Sequence, residues 1–134
     1  HNLFDVITGD ENAASDVEYR CIFVHNAHAT LTWQTPVVWL SAETAGGANI
    51  AIAIDGIAAS AIGATPAQAD EVANEGTAPT GEAFSSPTTK ATGLALADLP
   101  AGQCRAIWLR RTATNSAALD NDDVTIRVEG DTQA

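Results

Sequence analysis

Apolar and polar positions alternate along this chain with a period of two, over stretches of four to ten residues, and the elements they predict are strands. Over residues 17–24, Glu18 and Arg20 alternate with Val17, Tyr19 and Cys21, in a β-branched and aromatic setting that reads as a strand ending near His25 and Asn26. Leu31-Thr32-Trp33 and Val37-Val38-Trp39-Leu40 form a second strand region, bent at Pro36, which cannot donate to a ladder. Residues 49–55 place Ile50, Ile52 and Ile54 on one face and only Ala51 and Ala53 on the other. Later, residues 92–97 read as a short strand and Leu99-Pro100-Ala101-Gly102 as a turn. Residues 104–112 form a strand with Ile107 and Leu109 opposite Ala106 and Trp108, and residues 115–123 a polar hairpin connection. In the last strand Val124, Ile126 and Val128 alternate with Thr125, Arg127 and Glu129.

Residues 56–90 break this order with Gly56, Gly63, Gly76 and Gly81 and with Pro66, Pro79 and Pro87. Thr65-Pro66-Ala67-Gln68 has the form of a helix start and Gly76 that of its stop, while the poor apolar face of Ala69, Val72 and Ala73 suits an irregular strand or extended loop equally well. About seven strands without a long amphipathic helix predict an all-β, immunoglobulin-like antiparallel β-sandwich with one long irregular connection. Residues 1–15 are expected as an N-terminal arm or edge strand, and residues 16–134 as a single sandwich domain.

Composition narrows the function classes. The 134 residues carry 17 acidic against 6 basic side chains, a formal net charge of −11. That balance argues against a nucleic-acid binder, which needs clustered Lys and Arg. No apolar run approaches the roughly 20 residues of a membrane-spanning helix, so no membrane partner is expected. An apolar share of 46% is too high for a disordered acidic tail. About a fifth of the chain is alanine and Met is absent, so a chain beginning at His1 is expected to be a trimmed product. No signal-peptide pattern is visible, and a cleaved signal would leave no trace.

Candidate chemistry is sparse. His25 and His28, three apart, would point to opposite faces of a strand, and His1 could imitate a copper brace only with a free amine; a strand-end polar pair is the plainer reading. Asp10-Glu11-Asn12 and Asp120-Asn121-Asp122-Asp123 offer oxygens to calcium, yet they lack the spaced ligands and Gly of a calcium loop and suit turns. No nucleophile, zinc or phosphate-loop motif is present, so no enzyme, catalytic residue, metal or cofactor is expected. Trp33 and Trp39 could form a sugar-stacking platform; Trp39 and Trp108 also suit a sandwich core, which leaves Trp33 as the candidate exposed aromatic. Arg110 and Arg111 should point to opposite faces, one pairing with acidic neighbours and the other facing solvent or a partner surface. Together with Arg105 and Arg127 they are expected to make one face less acidic.

Four segments in order, Asn2-Leu3-Phe4-Asp5 with Thr8-Gly9, then residues 18–30, 75–84 and 99–113, resemble small virion structural proteins of tailed bacteriophages. Within that group an acidic, Ala- and Thr-rich sandwich is similar to capsid decoration (cement) proteins. The resemblance implies a non-enzymatic role in the virion, assembled in the host cytoplasm, with the major capsid protein or another virion protein as partner and with room for a homo-oligomer. A tail or baseplate module, or a carbohydrate-binding or adhesion sandwich, is the alternative. It implies reduced thiols at Cys21 and Cys104, which could otherwise pin facing sheets or serve as small buried hydrophobes. The N-terminal segment with Leu3, Phe4, Val6 and Ile7 is the candidate docking arm, or else the first strand of the sandwich. Trp33, Arg110 and Arg111 complete the candidate partner-binding set.

Overall fold

In the computed structural model, which describes residues 3–64 and 68–132, the alternating stretches become seven strands in two antiparallel sheets. The strands are β1 (Val17–His25), β2 (Trp33–Glu43), β3 (Asn49–Ile54), β4 (Ser60–Ala61), β5 (Leu94–Ala95), β6 (Gln103–Thr112) and β7 (Val124–Thr132). One sheet runs β1-β6-β3, with β4 beside the start of β6, and the other runs β5-β2-β7. The all-β sandwich expected from periodicity is therefore the fold. β6 and β7 lie in different sheets, so residues 113–123 cross from one layer to the other. The hairpin expected there does not form, because β6 and β7 never pair.

Register explains the core. Residues opposite one another in an antiparallel pair share a face. Ile22 pairs with Ile107, Ile52 with Leu109 and Ile54 with Ile107. These side chains face Val38 and Leu40 of β2, whose partners are Val128 and Ile126 of β7. Ile52 and Ile107 are fully buried, each such side chain stabilising the fold by roughly 1.5–3 kcal/mol.

The outer face of the first sheet is also covered. Ala51, Ala53, Ala106 and Trp108 are all buried, because the chain between β3 and β5 folds back over them. Asp55, 1% exposed, anchors that cover: its carboxylate accepts from Trp108 Nε1, Ile57 N–H and Asp70 N–H, each at 2.8 Å. Phe84 packs edge-on against Tyr19, with ring centroids 5.5 Å apart. Alanine fits here because small side chains let a loop lie close on a strand. The helix start expected at Thr65-Pro66-Ala67 falls on residues outside those described.

Residues 85–87 then close one flank. Ser85 exchanges both backbone bonds with Ile52 of β3, Ser86 Oγ donates to Ile50 O, and Pro87 O accepts Leu40 N–H of β2. The opposite flank is bounded by β1 and β7. Pro36 is accommodated by an irregularity between Gln34 and Val37, with Thr35 at φ 46° and its N–H on Asp98 Oδ1.

Residues 9–14 correct an expectation. They form a short helix, α1 (Gly9–Ala14), rather than arm or edge strand. Thr8 accepts Glu11 N–H and Glu11 returns a bond to Thr8 N–H, a complete capping box.

Candidate functional site

The candidate partner-binding residues divide between the N-terminal arm with Arg111, the opposite face of β6 at Arg110, and the distant end of β2 at Trp33. Residues 3–8 lie against the β1 end of the first sheet. Phe4 packs on the core cluster, with the Arg111 guanidinium carbon 4.7 Å and that of Arg20 5.4 Å from its ring centroid. Arg20 Nε donates to Leu3 O, and Arg111 Nη1 donates to Asp5 O at 2.6 Å. Leu3 and Val6 on the same arm stay exposed, at 44% and 79%, while Ile7 is half-buried. The arm is thus clamped by one ring and its backbone while it displays two apolar side chains.

The clamp has an ionic foundation. Glu18 and Arg111 face each other across β1 and β6, and the buried guanidinium pairs with the Glu18 carboxylate and with Asp5 Oδ1. Arg20 pairs with Glu75. The carboxylates of Asp5, Glu18 and Glu75 lie within 4.8 Å of one another, and the two arginines already bind all three. Burial pushes the Glu18 carboxyl above its ordinary range, and Arg111 draws it back only in part. Chemically this is a charge-neutralising lock on the arm.

The other candidates fall elsewhere. Arg111 pairs with acidic neighbours as the two-face argument expects, but Arg110 is not presented to solvent. It sits half-buried on the outer face of β6, with its guanidinium carbon 5.3 Å from the Phe84 centroid. Trp33 is half-buried beside Leu99, on the order of 25 Å from the clamp at ~3.3 Å per strand residue. Trp39 is 6% exposed with Arg127 over its ring, so the two indoles offer no open platform. The less acidic face does not form as expected, because Arg105 donates inward to Leu96 O and Asp55 O while Arg111 is buried. Among the late-strand arginines only Arg127 is well exposed.

The remaining polar groups serve the backbone. His28 Nδ1 accepts Thr30 and Leu31 N–H, and the neighbouring Asn26 side chain ties Leu31 O to Leu99 O. His1 lies outside the described residues. Asp122 accepts Ala48 N–H, Asp123 accepts from Thr44 Oγ1, and Asn12 bonds Ser116, so both acidic segments act as turn and cap material. Cys21 and Cys104 are free thiols in neighbouring strands of one sheet, with Cys21 opposite Trp108 and Cys104 opposite His25. That register precludes a pin between facing sheets. Burial, with Asp55 nearby, pushes the Cys21 thiol up to about 11, which removes thiolate reactivity at neutral pH. An open depression of about 410 Å³ is lined by Ile54, Gly81, Glu82, Ala83 and residues 93–95, and its one carboxylate, Glu82, accepts Gly56 N–H.

Sequence reasoning missed Asp55, Glu18 and the Thr8–Glu11 box. The last was visible as Thr-x-x-Glu; the first two became functional only through pairing across strands. No family model, curated protein or solved structure matches this chain.

Proposed function

We propose that this chain is a non-enzymatic structural protein of a tailed-bacteriophage particle, a capsid decoration protein that binds the outer head surface and stabilises the shell. The observation that carries this reading is the N-terminal arm, held by Phe4 and the Arg20–Arg111 pair while Leu3 and Val6 face solvent. Exposed apolar side chains on a pre-positioned extended segment suit insertion into a groove or addition to a sheet edge of the major capsid protein. The acidic surface suits a coat component present at high local concentration, where like charge resists clumping. The mechanism is physical: a protein that binds the assembled shell and not its dissociated subunits stabilises it by mass action, and many symmetry-related copies act collectively.

The test uses particles of the encoding phage that lack the protein. Added protein is expected to co-sediment with heads and raise their melting temperature, with a copy number in the hundreds by mass spectrometry. A Leu3→Asp, Val6→Asp variant keeps the Phe4 clamp and should lose head binding. Binding to tails with bare heads would transfer the assignment to a tail or baseplate module. Binding to neither, with affinity for glycans, would replace it with an adhesion module.

A further inference from the structure

The outer edge of β7 has no strand beside it among the described residues. β7 has one sheet neighbour, β2, and among the described residues no other backbone bond reaches Val124–Thr132. Which groups face that edge follows from register. Leu40 donates its N–H to Pro87 O, and Pro36 O accepts Leu96 N–H, both on the side of β2 away from β7. A residue whose backbone groups point away from a neighbouring strand belongs to a non-hydrogen-bonded pair, and its partner points away likewise. Leu40 is opposite Ile126, and Val38, two residues earlier, is opposite Val128. Ile126 and Val128 therefore direct their N–H and C=O groups out of the sheet, as a neighbouring strand would require.

We propose that two copies of this chain join β7 to β7 in an antiparallel pair centred on Val128, making one continuous sheet across a two-fold axis. In that register Val128 exchanges both backbone bonds with its own copy, and Ile126 does so with Gly130 of the second copy. The intervening pair sets Arg127 opposite Glu129 of the second copy, and Glu129 opposite its Arg127. These positions are non-hydrogen-bonded, where cross-strand side chains come closest. Adjacent registers fail on charge. Centring on Arg127 or on Glu129 sets that charge against its own copy, centring on Ile126 sets Glu129 against Asp123, and centring on Gly130 sets Glu129 against Asp131. Charges on an exposed edge ordinarily prevent pairing. Here Arg127, exposed, and Glu129, half-buried, pair at 2.9 Å within one chain and present opposite signs to an inverted copy, so the guard fails against this one partner. The pairing also covers Ile126 and Val128, which are only half-buried.

Sedimentation equilibrium of the full chain reads the outcome directly. At tens of micromolar the expected mass is twice the 13.8 kDa of one chain. Arg127→Glu sets like charges opposite at both symmetric positions and should weaken association by roughly tenfold or more. Adding Glu129→Arg to that variant restores self-complementarity and should restore the dimer. Val128→Pro removes an outward N–H that β2 does not use, so it should give a folded monomer by circular dichroism. A wild-type monomer at every concentration up to about 1 mM overturns the proposal, as does a dimer that survives both Arg127→Glu and Val128→Pro. Neither result bears on capsid binding, which is read through Leu3 and Val6.

Discussion

Glu18 is a carboxylate buried on the inner face of β1, opposite Arg111 of β6. Its position in the alternation is shared with Arg20, Ile22 and Val24, all on the face turned toward the other sheet. Removing a carboxylate from water raises the cost of ionising it, and Arg111 offsets only part of that cost. The sign of the pH dependence follows. An acid harder to ionise in the fold than in the unfolded chain leaves the folded state holding the extra proton, so stability falls as pH rises. The contribution of Glu18 is complete below its ordinary value of 4.5 and is lost as pH climbs through the raised folded value. Unfolding wild type and Glu18→Gln in urea from about pH 4 to about pH 7 should show the wild type losing ground against the variant, then a plateau. A gap that widens in favour of the wild type would mean that the Arg111 bond outweighs burial. A single strand could not reveal this, because the burial of Glu18 depends on β6 placing Arg111 opposite it.

Elements were legible where burial is one-sided or continuous. β1, β3, β6 and β7 follow from alternation and apolar runs, and Pro36 marked the irregularity in β2. α1 was illegible by period because six residues carry no apolar stripe; its signal was the Thr8–Glu11 box. The chain between β3 and β5 was illegible for a different reason. Its order comes from single side chains binding distant backbone: Gln68 to Ala61 O, Asp70 to Thr80 N–H, and above all Asp55. No periodicity encodes such bonds. They make Asp55→Ala the sharpest test of the cover, since it would leave the Trp108 indole, Ile57 and Asp70 N–H groups without their acceptor. At about 1–3 kcal/mol for each buried donor left unpaired, the loss should reach about 3 kcal/mol or more in urea unfolding. Hydrogen exchange should accelerate first in the segment around Asp70, and a loss confined to the β4 region would show that the cover is held mainly by Phe84.

Over the whole molecule, most of the arginines are tied into the sandwich and, Glu18 and Asp55 apart, the carboxylates are left at the surface. Arg20 and Arg111 clamp the arm, Arg105 turns inward, Arg110 lies on Phe84, and Lys90 and Arg127 share Glu129. Among the described residues, Asp5, Glu18, Glu75 and Glu129 are the acidic residues that pair with a basic side chain. The other carboxylates, the buried Asp55 apart, repel one another through solvent, and the net charge of −11 makes repulsion the larger long-range effect. Salt screens this repulsion strongly, and it weakens the buried Glu18–Arg111 pair far less. Going from about 20 mM to about 500 mM NaCl shortens the screening length from about 20 Å to about 4 Å. The melting temperature of the isolated protein at neutral pH should therefore rise, by about 2–5 °C if relieved repulsion is worth about 1 kcal/mol. A melting temperature that falls with salt would mean that the exposed pairs Arg20–Glu75 and Arg127–Glu129 outweigh the unpaired carboxylates. The surface would then be a balanced ionic network rather than an anionic coat, and the high-density role proposed for the chain would lose its electrostatic support.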